Sequence, residues 1–202
     1  IVALMRDLEH FINDAGPFAA DPLIKMALIH HQFESIHPFY DGNGRTGRIL
    51  NILYLVKAGL LDLPVLFMSR EIIEHKDEYY RLLQEVRTKE SWQDWILFML
   101  RVVERSSHHT LRLVTSIREL LDSTIETCRA KLPRTTYSKE LVERLFVQPY
   151  VKTENLVKAG IAERRTAAKY LRQVEEIGVL RSFKSWRETI FVNAGLVDVL
   201  KE

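Results

Sequence analysis

The sequence has a single cysteine and no long hydrophobic run, and these two absences narrow the class of protein. Cys128 has no partner for an intramolecular disulfide and no cysteine pair is spaced for zinc, which favours a cytoplasmic setting and a buried structural thiol. Charged residues such as Lys57 and Asp62 interrupt each apolar stretch before it reaches the roughly 18 residues that a membrane span requires. No membrane partner is therefore expected. The chain starts at Ile1 without a signal-peptide pattern, which predicts a fragment of a longer protein.

An excess of one charge sign is also lacking over the whole chain. The 29 Lys and Arg residues barely outnumber the 27 Asp and Glu residues, which predicts no general attraction to polyanions. The distribution is nevertheless uneven. Residues 133–202 contain 13 basic and 9 acidic side chains, whereas residues 1–132 contain 16 and 18. The excess of basic charge is therefore concentrated in the C-terminal third.

Apolar residues at helical spacing dominate the sequence up to about residue 128. Asp21 followed by Pro22 gives the usual order of a capping residue and a first-turn proline. Residues 46–57 are apolar on most faces, which predicts a helix at the centre of a domain. Further helices are predicted at about 69–87, 91–105 and 107–128. Strand-like alternation is scarce here, so we predict an all-α domain for residues 1–132.

A second, smaller domain is predicted for residues 133–202. The apolar pattern lapses around Pro133, where turn-forming residues accumulate, so the boundary is placed there. Three short helices are expected at about 138–147, 153–159 and 163–177, and two strands at about 179–183 and 188–192. Three short helices followed by a β-hairpin are typical of a winged helix-turn-helix domain.

The densest group of chemically active residues is the stretch HPFYDGNGRTGR, residues 37–48. Its Gly42, Gly44 and Gly47 have the spacing of a dinucleotide-binding loop, and Asp62 lies at the distance of the acidic residue that contacts a ribose. That fold requires a strand before the glycines. The preceding residues have helical spacing instead, and Asp62 belongs to a turn, so the dinucleotide interpretation is disfavoured.

A loop between two helices would give the same residues another use. Gly42 and Gly44 can adopt positive φ, so successive backbone N–H groups can face an anion at the start of the following helix. Arg45 and Arg48 project toward the same side and suit further phosphates of a polyphosphate. Asp41 supplies one oxygen ligand, and Mg²⁺ usually takes only one or two protein carboxylates. The loop therefore has the parts of a magnesium-dependent phosphate site.

His37, four residues before Asp41, gives this loop a candidate catalytic group. An imidazole, with a pKa near 6.5, can remove a proton from a hydroxyl at neutral pH and act as the general base of a phosphoryl or nucleotidyl transfer. The alternative is a capped helix turn whose charged side chains are merely solvated. For any one of these residues taken alone, the solvated turn is the better interpretation. For all of them together, the phosphate site is the better one.

The run His-Pro-Phe-x-Asp-Gly-Asn-Gly-Arg-x-x-Arg resembles the full signature of the Fic domain, the all-helical fold of protein adenylyltransferases. The stretches LMRDLEHFI, HQFESIHPF, EYYRLL and SWQDWILFML also resemble helices of that family. The resemblance implies that His37 deprotonates a Ser, Thr or Tyr hydroxyl of a target protein, which attacks the α-phosphate of ATP. The other implied roles are Mg²⁺ binding by Asp41, an anion hole of Gly42, Asn43 and Gly44, and binding of the β- and γ-phosphates by Arg45 and Arg48.

The resemblance leaves several alternatives open. Family members also remove AMP from a modified protein or transfer UMP, phosphocholine or a γ-phosphate, and the motif does not choose between these reactions. Members of this kind carry an upstream flap that aligns the target, and often a regulatory helix whose glutamate pairs with the second motif arginine, here Arg48. Tyr79 and Tyr80 are candidates for the adenine or target side, although aromatic pairs on helices usually belong to a core.

The C-terminal domain adds a candidate nucleic-acid surface. The basic residues on or near one face of its third helix are Arg164, Arg165, Lys169 and Arg172, and Lys184 and Arg187 lie in the expected wing. A DNA-binding regulator whose Fic-like half only senses nucleotide is therefore the rival function. A net charge of about +4 attracts DNA only modestly. The alternative use of such a domain, contact with proteins or formation of a homodimer, therefore stays open.

Overall fold

Helices make up most of the computed structural model, which describes residues 1–13, 20–186 and 188–201. The chain divides into two compact units, Ile1–Thr110 and Leu111–Glu202. The division falls inside a single long helix, so each unit includes part of that helix. Arg187, which was assigned to the expected wing, lies outside the described residues.

Unit 1 is entirely helical within the part of the chain that the structure describes. Its elements are α1 (Val2–Asn13), α2 (Pro22–Ile36), α3 (Asn43–Lys57), α4 (Met68–Glu74), α5 (Lys76–Lys89) and the first part of α6 (Trp92–Lys131). Asp21 caps α2 as predicted, because its Oδ1 accepts a hydrogen bond from the backbone N–H of Leu23 at 2.8 Å. The predicted all-α character of the N-terminal half is confirmed.

Trp95 lies in the core of unit 1. Its side chain is fully buried, and its indole N–H donates a hydrogen bond to the carbonyl oxygen of Ala27 on α2 at 2.9 Å. The ring stacks on His30, with 6.1 Å between centroids, and contacts Tyr79 on α5, with 5.6 Å between centroids. One residue of α6 thus connects α2, which leads into the motif, with α5.

Two predictions of helix extent are wrong. The stretch 69–87 forms two helices, α4 and α5, because His75 between them has non-helical φ and ψ of −114° and 34°. The stretches 91–105 and 107–128 belong to one 40-residue helix, α6. Neither Gly nor Pro occurs near Ser106, where the break was expected, so no backbone feature ends the helix there. No helix among the described residues, α6 included, combines the length and the apolar character that crossing a membrane requires.

Helix α3 differs from its prediction in start and in exposure. It begins at Asn43 instead of residue 46. Its apolar sequence predicted a central position, yet Ile49 and Leu53 are 57% and 53% exposed. The buried face instead includes Gly47 and Asn51, so part of α3 is packed through small and polar residues.

Unit 2 combines short helices with a three-stranded antiparallel sheet. Beyond the end of α6 its elements are α7 (Lys139–Arg144), β1 (Tyr150–Val151), α8 (Thr153–Lys158), α9 (Arg164–Glu176), β2 (Leu180–Ser185), β3 (Glu188–Asn193) and α10 (Ala194–Lys201). The strand order is β1-β3-β2, and Phe191 of β3 pairs with Val151 on one side and Ser182 on the other. The three short helices and the hairpin agree with prediction. Strand β1 was missed because two residues are too few for alternation to be visible, and α10 was also missed.

The core of unit 2 includes residues from the C-terminal part of α6. Cys128 of α6 is buried there, as is Leu132 directly after the helix, with residues of α7, α9 and the sheet such as Leu141, Leu171 and Phe191. Burial raises the pKa of the Cys128 thiol to about 11, as expected for an inert structural cysteine. The compact units therefore divide at a different place from the predicted domains, and a domain boundary between residues 132 and 133 stays a prediction.

Candidate active site

Residues 37–48 form the connection between α2 and α3 and the beginning of α3. Helices stand on both sides of the glycines, and all strands of the described residues come after residue 149. No described strand therefore leads into Gly42, as a dinucleotide-binding loop would require. The setting between two helices, on which the phosphate-binding interpretation depends, is confirmed.

His37 ends α2 in a left-handed conformation, with φ 50° and ψ 57°. Its backbone N–H still donates to the carbonyl oxygen of Phe33 at 3.1 Å, and Pro38 prevents the helix from continuing. A positive φ outside glycine is uncommon and marks a backbone held by its surroundings. The turn leaves the His37 side chain exposed on the wall of a pocket.

Asn43 fixes the loop from within. Its Oδ1 accepts a hydrogen bond from the backbone N–H of Phe39 at 2.9 Å, and its Nδ2 donates to the Phe39 carbonyl oxygen at 2.7 Å. The Asn43 side chain is buried. Because the side-chain amide already holds the loop, the group of Asn43 that can bind an anion is its backbone N–H.

Gly42 sets the geometry at the start of α3. Its φ of 85° is a conformation that a side chain would strain. Its carbonyl oxygen accepts hydrogen bonds from the backbone N–H and the hydroxyl of Thr46, both at 3.0 Å. The N–H groups of the first turn of α3, from Asn43 to Arg45, have no intrahelical acceptor and lie at the positive end of the helix dipole. Helix starts of this kind bind phosphate groups.

Arg45 and Asp41 form an ion pair at the outer side of the loop. Nη2 of Arg45 lies 3.3 Å from Oδ2 of Asp41, and the two side chains are 73% and 87% exposed. An exposed pair of this kind contributes little to stability. Both side chains are therefore available to a ligand at small cost.

Arg48 contacts a residue that the sequence interpretation did not single out. Its Nε donates a hydrogen bond to Oγ of Ser69, the second residue of α4, at 2.8 Å. A Cβ placed on Gly44 would lie 3.2 Å from Nη1 of Arg48, so the guanidinium group lies against the start of α3. Gly44 therefore leaves room for the guanidinium group of Arg48.

One pocket of about 590 Å³ brings the predicted site residues together, a volume typical of small-ligand sites. The predicted residues on its walls are His37, Asp41, Gly42, Asn43, Gly44, Arg45, Arg48, Tyr79 and Tyr80. Tyr80 is 56% exposed, whereas Tyr79 is buried with its hydroxyl in a hydrogen bond. The tyrosine pair thus consists of one surface and one core residue, and the roles of these residues in binding and catalysis stay predictions.

Most of the opposite wall was not predicted. The additional pocket residues are Ile72, Ile73, Lys76, Leu83 and Arg87 from α4 and α5, with Glu34 and Tyr40 from the side of the motif. Lys76, Tyr80, Leu83 and Arg87 recur at intervals of four, three and four residues, which is the spacing of one helix face. That periodicity is the signal from which these residues could have been identified.

A buried polar cluster lies between the helices next to the pocket. Nε2 of the fully buried His30 is 3.0 Å from the Tyr79 hydroxyl. A Cβ placed on Gly47 would lie 2.7 Å from Oε1 of Glu34 and 3.2 Å from Nδ1 of His30, so α2 and α3 approach closely at this glycine. Burial lowers the pKa of His30 to about 4, so its ring is neutral at pH 7. Burial also raises the pKa of the Glu34 carboxyl, against the opposing charges of His37 and Arg48.

The His30 pKa predicts acid sensitivity of unit 1. Because the folded-state pKa of about 4 lies below the ordinary value of 6.5, the unfolded chain binds this proton first and stability falls as the pH drops from 6.5 to 4. One such group gives a slope of up to about 1.4 kcal/mol per pH unit. Urea unfolding across this range should show a steeper fall for the wild type than for His30→Gln.

The other buried ionisable groups do not remove this difference. Burial lowers the pKa of His31, which acts in the same direction, and raises that of Glu34, which acts in the opposite direction. Both groups are present in the wild type and in His30→Gln. Equal slopes for the two proteins would therefore show that His30 binds its proton normally in the folded state.

Two family models match the chain. The Fic/DOC family model matches residues 1–55, and the model of the C-terminal domain of SoFic-like protein adenylyltransferases matches residues 120–196. The chain is 26% identical to protein adenylyltransferase fic-1 of Caenorhabditis elegans over 72% of its own length and 26% of that protein. It is 28% identical to protein adenylyltransferase Fic of Drosophila mojavensis, over 71% of this chain and 28% of that protein. The chain thus spans less than a third of the length of these relatives.

A solved structure has the same fold. The crystal structure of a Fic family protein from Desulfovibrio desulfuricans G20 matches with a TM-score of 0.50 and 21% identity, over 96% of this chain and 55% of that one. At this identity the likeness concerns the fold alone. The family models confirm the resemblance that the motif predicted, and the solved structure agrees with the fold that the resemblance implied.

Proposed function

We propose, from the premise that this chain belongs to the Fic/DOC family, that it transfers AMP from ATP to a Ser, Thr or Tyr hydroxyl of another protein. The relatives that it matches are named protein adenylyltransferases. The observation that carries the proposal is the meeting of one imidazole, one exposed carboxylate, a helix start and two arginines in a single pocket. Those are the groups that the transfer of a nucleotide to a hydroxyl requires.

The walls of the pocket suit the two ends of ATP. The start of α3, with Arg45 and Arg48, offers N–H groups and positive charge to the phosphates. The wall from α4 and α5 offers apolar and aromatic surface to the base, including Ile73, Tyr80 and Leu83. We assign the adenine to that wall, which also contains the cations Lys76 and Arg87.

His37 is proposed as the general base. It accepts the proton of the acceptor hydroxyl as the oxygen attacks the α-phosphorus, the bond from that phosphorus to the bridging oxygen breaks, and pyrophosphate leaves. The charge that develops on the phosphates faces the N–H groups of the α3 start and the arginines, which are in place before the reaction. His37 then returns its proton to solvent.

Asp41 fits a magnesium ion that is bound together with the nucleotide. Its exposed carboxylate lines the same pocket as the phosphate-binding loop and offers the oxygen ligands that Mg²⁺ prefers. Among the residues that the structure describes, no three His, Cys, Asp or Glu side chains are grouped to hold a metal ion, so phosphate oxygens and water would complete the coordination. When bound, the ion neutralises phosphate charge.

The transfer reaction is tested with the purified chain, Mg²⁺, ATP labelled in its α-phosphate, and a cell lysate. We expect labelled protein bands that depend on the chain. Absence of labelled protein, with a chain that binds ATP, would contradict the proposal. Loss of AMP from proteins that were labelled beforehand would point to the removal reaction instead.

A second proposal concerns unit 2, which we interpret as a winged helix-turn-helix domain that binds DNA. The observation in its favour is the exposed basic face of α9, preceded by α8 and a turn in which Gly160 has φ 70°. Arg165, Lys169 and Arg172 are exposed at intervals of four and three residues, so they share one face, and Arg164 is exposed beside them. The other proposed use of this domain is contact with proteins, as in a homodimer. The cytoplasmic location of the protein stays a prediction.

Salt dependence distinguishes these uses of unit 2. If α9 contacts DNA phosphates, the double variant Arg165→Ala/Lys169→Ala should bind DNA more weakly, and the slope of log affinity against log salt should fall by about 2. Lys201→Ala, which removes an exposed charge from α10, should leave both quantities unchanged. Equal DNA affinity of the wild type and the double variant would exclude α9 as the DNA-binding surface.

A further inference from the structure

The hydrogen bond between Arg48 and Ser69 has a consequence for the charge of the pocket. Among the ion pairs of the described residues, none includes Arg48, whereas Arg45 is paired with Asp41. The partner of Arg48 is a hydroxyl, which accepts a hydrogen bond from Nε at 2.8 Å without carrying a charge. The guanidinium group is therefore held in place by an uncharged partner, and the nearest charge of opposite sign on the pocket wall, the Glu34 carboxyl, acts on it without forming an ion pair.

The orientation of the guanidinium group follows from this contact. With Nε bonded to Ser69, the Nη groups are left for a ligand, and Nη1 lies close to the Gly44 backbone at the start of α3. Arg48 and the first-turn N–H groups of α3 thus line the same pocket. A planar guanidinium with both Nη groups free is suited to bidentate binding of a phosphate.

Ser69 is itself well fixed. It lies on α4 between Met68 and Ile72, whose side chains are 1% and 4% exposed and anchor the helix in the core of unit 1. The hydroxyl therefore has a defined position relative to α3. Its partner on that helix, Arg48, lies 21 residues earlier in the chain. An arginine side chain has many rotamers, and a fixed hydrogen-bond partner reduces the entropy that it would lose when it binds a ligand.

We propose that Ser69 is a positioning residue of the nucleotide site, which holds Arg48 ready for the terminal phosphates of ATP without neutralising it. The inference rests on the proposed function, because it deepens the assignment of Arg48 to a polyphosphate. It predicts that Ser69 matters for ligands with β- and γ-phosphates and not for a nucleotide that lacks them. AMP is therefore the matched control ligand for ATP.

The test is equilibrium titration of ATP and AMP, with Mg²⁺, into the wild type, Ser69→Ala, Ser69→Thr and Arg48→Ala. We expect Ser69→Ala to weaken ATP binding about tenfold, as the loss of a hydrogen bond to a charged group predicts, and to leave AMP binding unchanged. Ser69→Thr keeps the hydroxyl and should restore ATP binding. In an Arg48→Ala background, Ser69→Ala should cause no further loss.

Several results would overturn the inference. They are unchanged ATP affinity in Ser69→Ala, an equal loss of ATP and AMP binding, or a full loss from Ser69→Ala when Arg48 is already absent. A wild-type chain that binds neither nucleotide would overturn it as well. Melting temperatures of the variants identify a folding defect. For a variant that is destabilised but soluble, unchanged AMP affinity shows that the site is folded, so that a loss of ATP affinity can be assigned to Arg48. A chain that binds ATP through Ser69 but labels no protein would contradict the transfer reaction and leave the positioning role intact.

Discussion

Replacing His37 by alanine is expected to slow AMP transfer by roughly 100- to 10,000-fold, the contribution of a general base. His37 is the only histidine among the described residues that line the pocket, so no second imidazole is in place to accept the proton. Its side chain is exposed and the fold does not depend on its packing. The rate of label transfer from ATP at saturating nucleotide measures the effect.

Two controls separate catalysis from binding and folding. His37→Ala should bind ATP as the wild type does, because the phosphates are assigned to the start of α3 and the arginines. His108→Ala, which removes an exposed histidine of α6, should transfer AMP at the wild-type rate. An unchanged rate for His37→Ala would exclude His37 as the base, and a loss of ATP affinity would assign it to binding.

The largest effect on stability is expected at Trp95. Trp95→Ala should lower the free energy of unfolding of unit 1 by about 3–5 kcal/mol, the usual cost of removing a buried tryptophan. The indole is fully buried, and its loss leaves the carbonyl oxygen of Ala27 without its hydrogen-bond donor. Chemical denaturation followed by circular dichroism measures the change.

Trp92→Ala is the matched control for this prediction. Trp92 lies one turn earlier on α6 and is 38% exposed, with its ring against His31 at 4.9 Å between centroids. Removal of the Trp92 ring loses less buried apolar surface than removal of the Trp95 ring. Trp92→Ala should therefore lower the free energy of unfolding by clearly less than Trp95→Ala does. An equal or larger loss from Trp92→Ala would show that the indole of Trp95 is not the main contact between α6 and α2.

The candidate site was predicted from the sequence as far as its residues are close together in the chain. The motif 37–48 needs only the α2–α3 connection to bring His37, Asp41 and the arginines into one place, so local spacing was sufficient. Ser69 could not be found in this way. Its position depends on how α4 packs against α3, which no local pattern specifies.

The fold was predicted less completely than the motif, for similar reasons. Helices were recognised from their apolar spacing, but α3 was placed too centrally because an apolar sequence does not tell which face is covered by a neighbour. The break at His75 was missed because Pro and Gly, the usual signals of a helix end, are absent there, whereas the absence of both residues near Ser106 already favoured one continuous helix. Tertiary packing decides such positions.

The central claim is that the α-phosphate of ATP, and not the γ-phosphate, becomes bound to an acceptor hydroxyl. Parallel reactions with α-labelled and γ-labelled ATP test this directly, with mass spectrometry of the labelled acceptor. We predict label from the α-phosphate only, a peptide mass increased by one AMP group, and loss of both in His37→Ala. Label from the γ-phosphate, or an acceptor without AMP, would contradict the account.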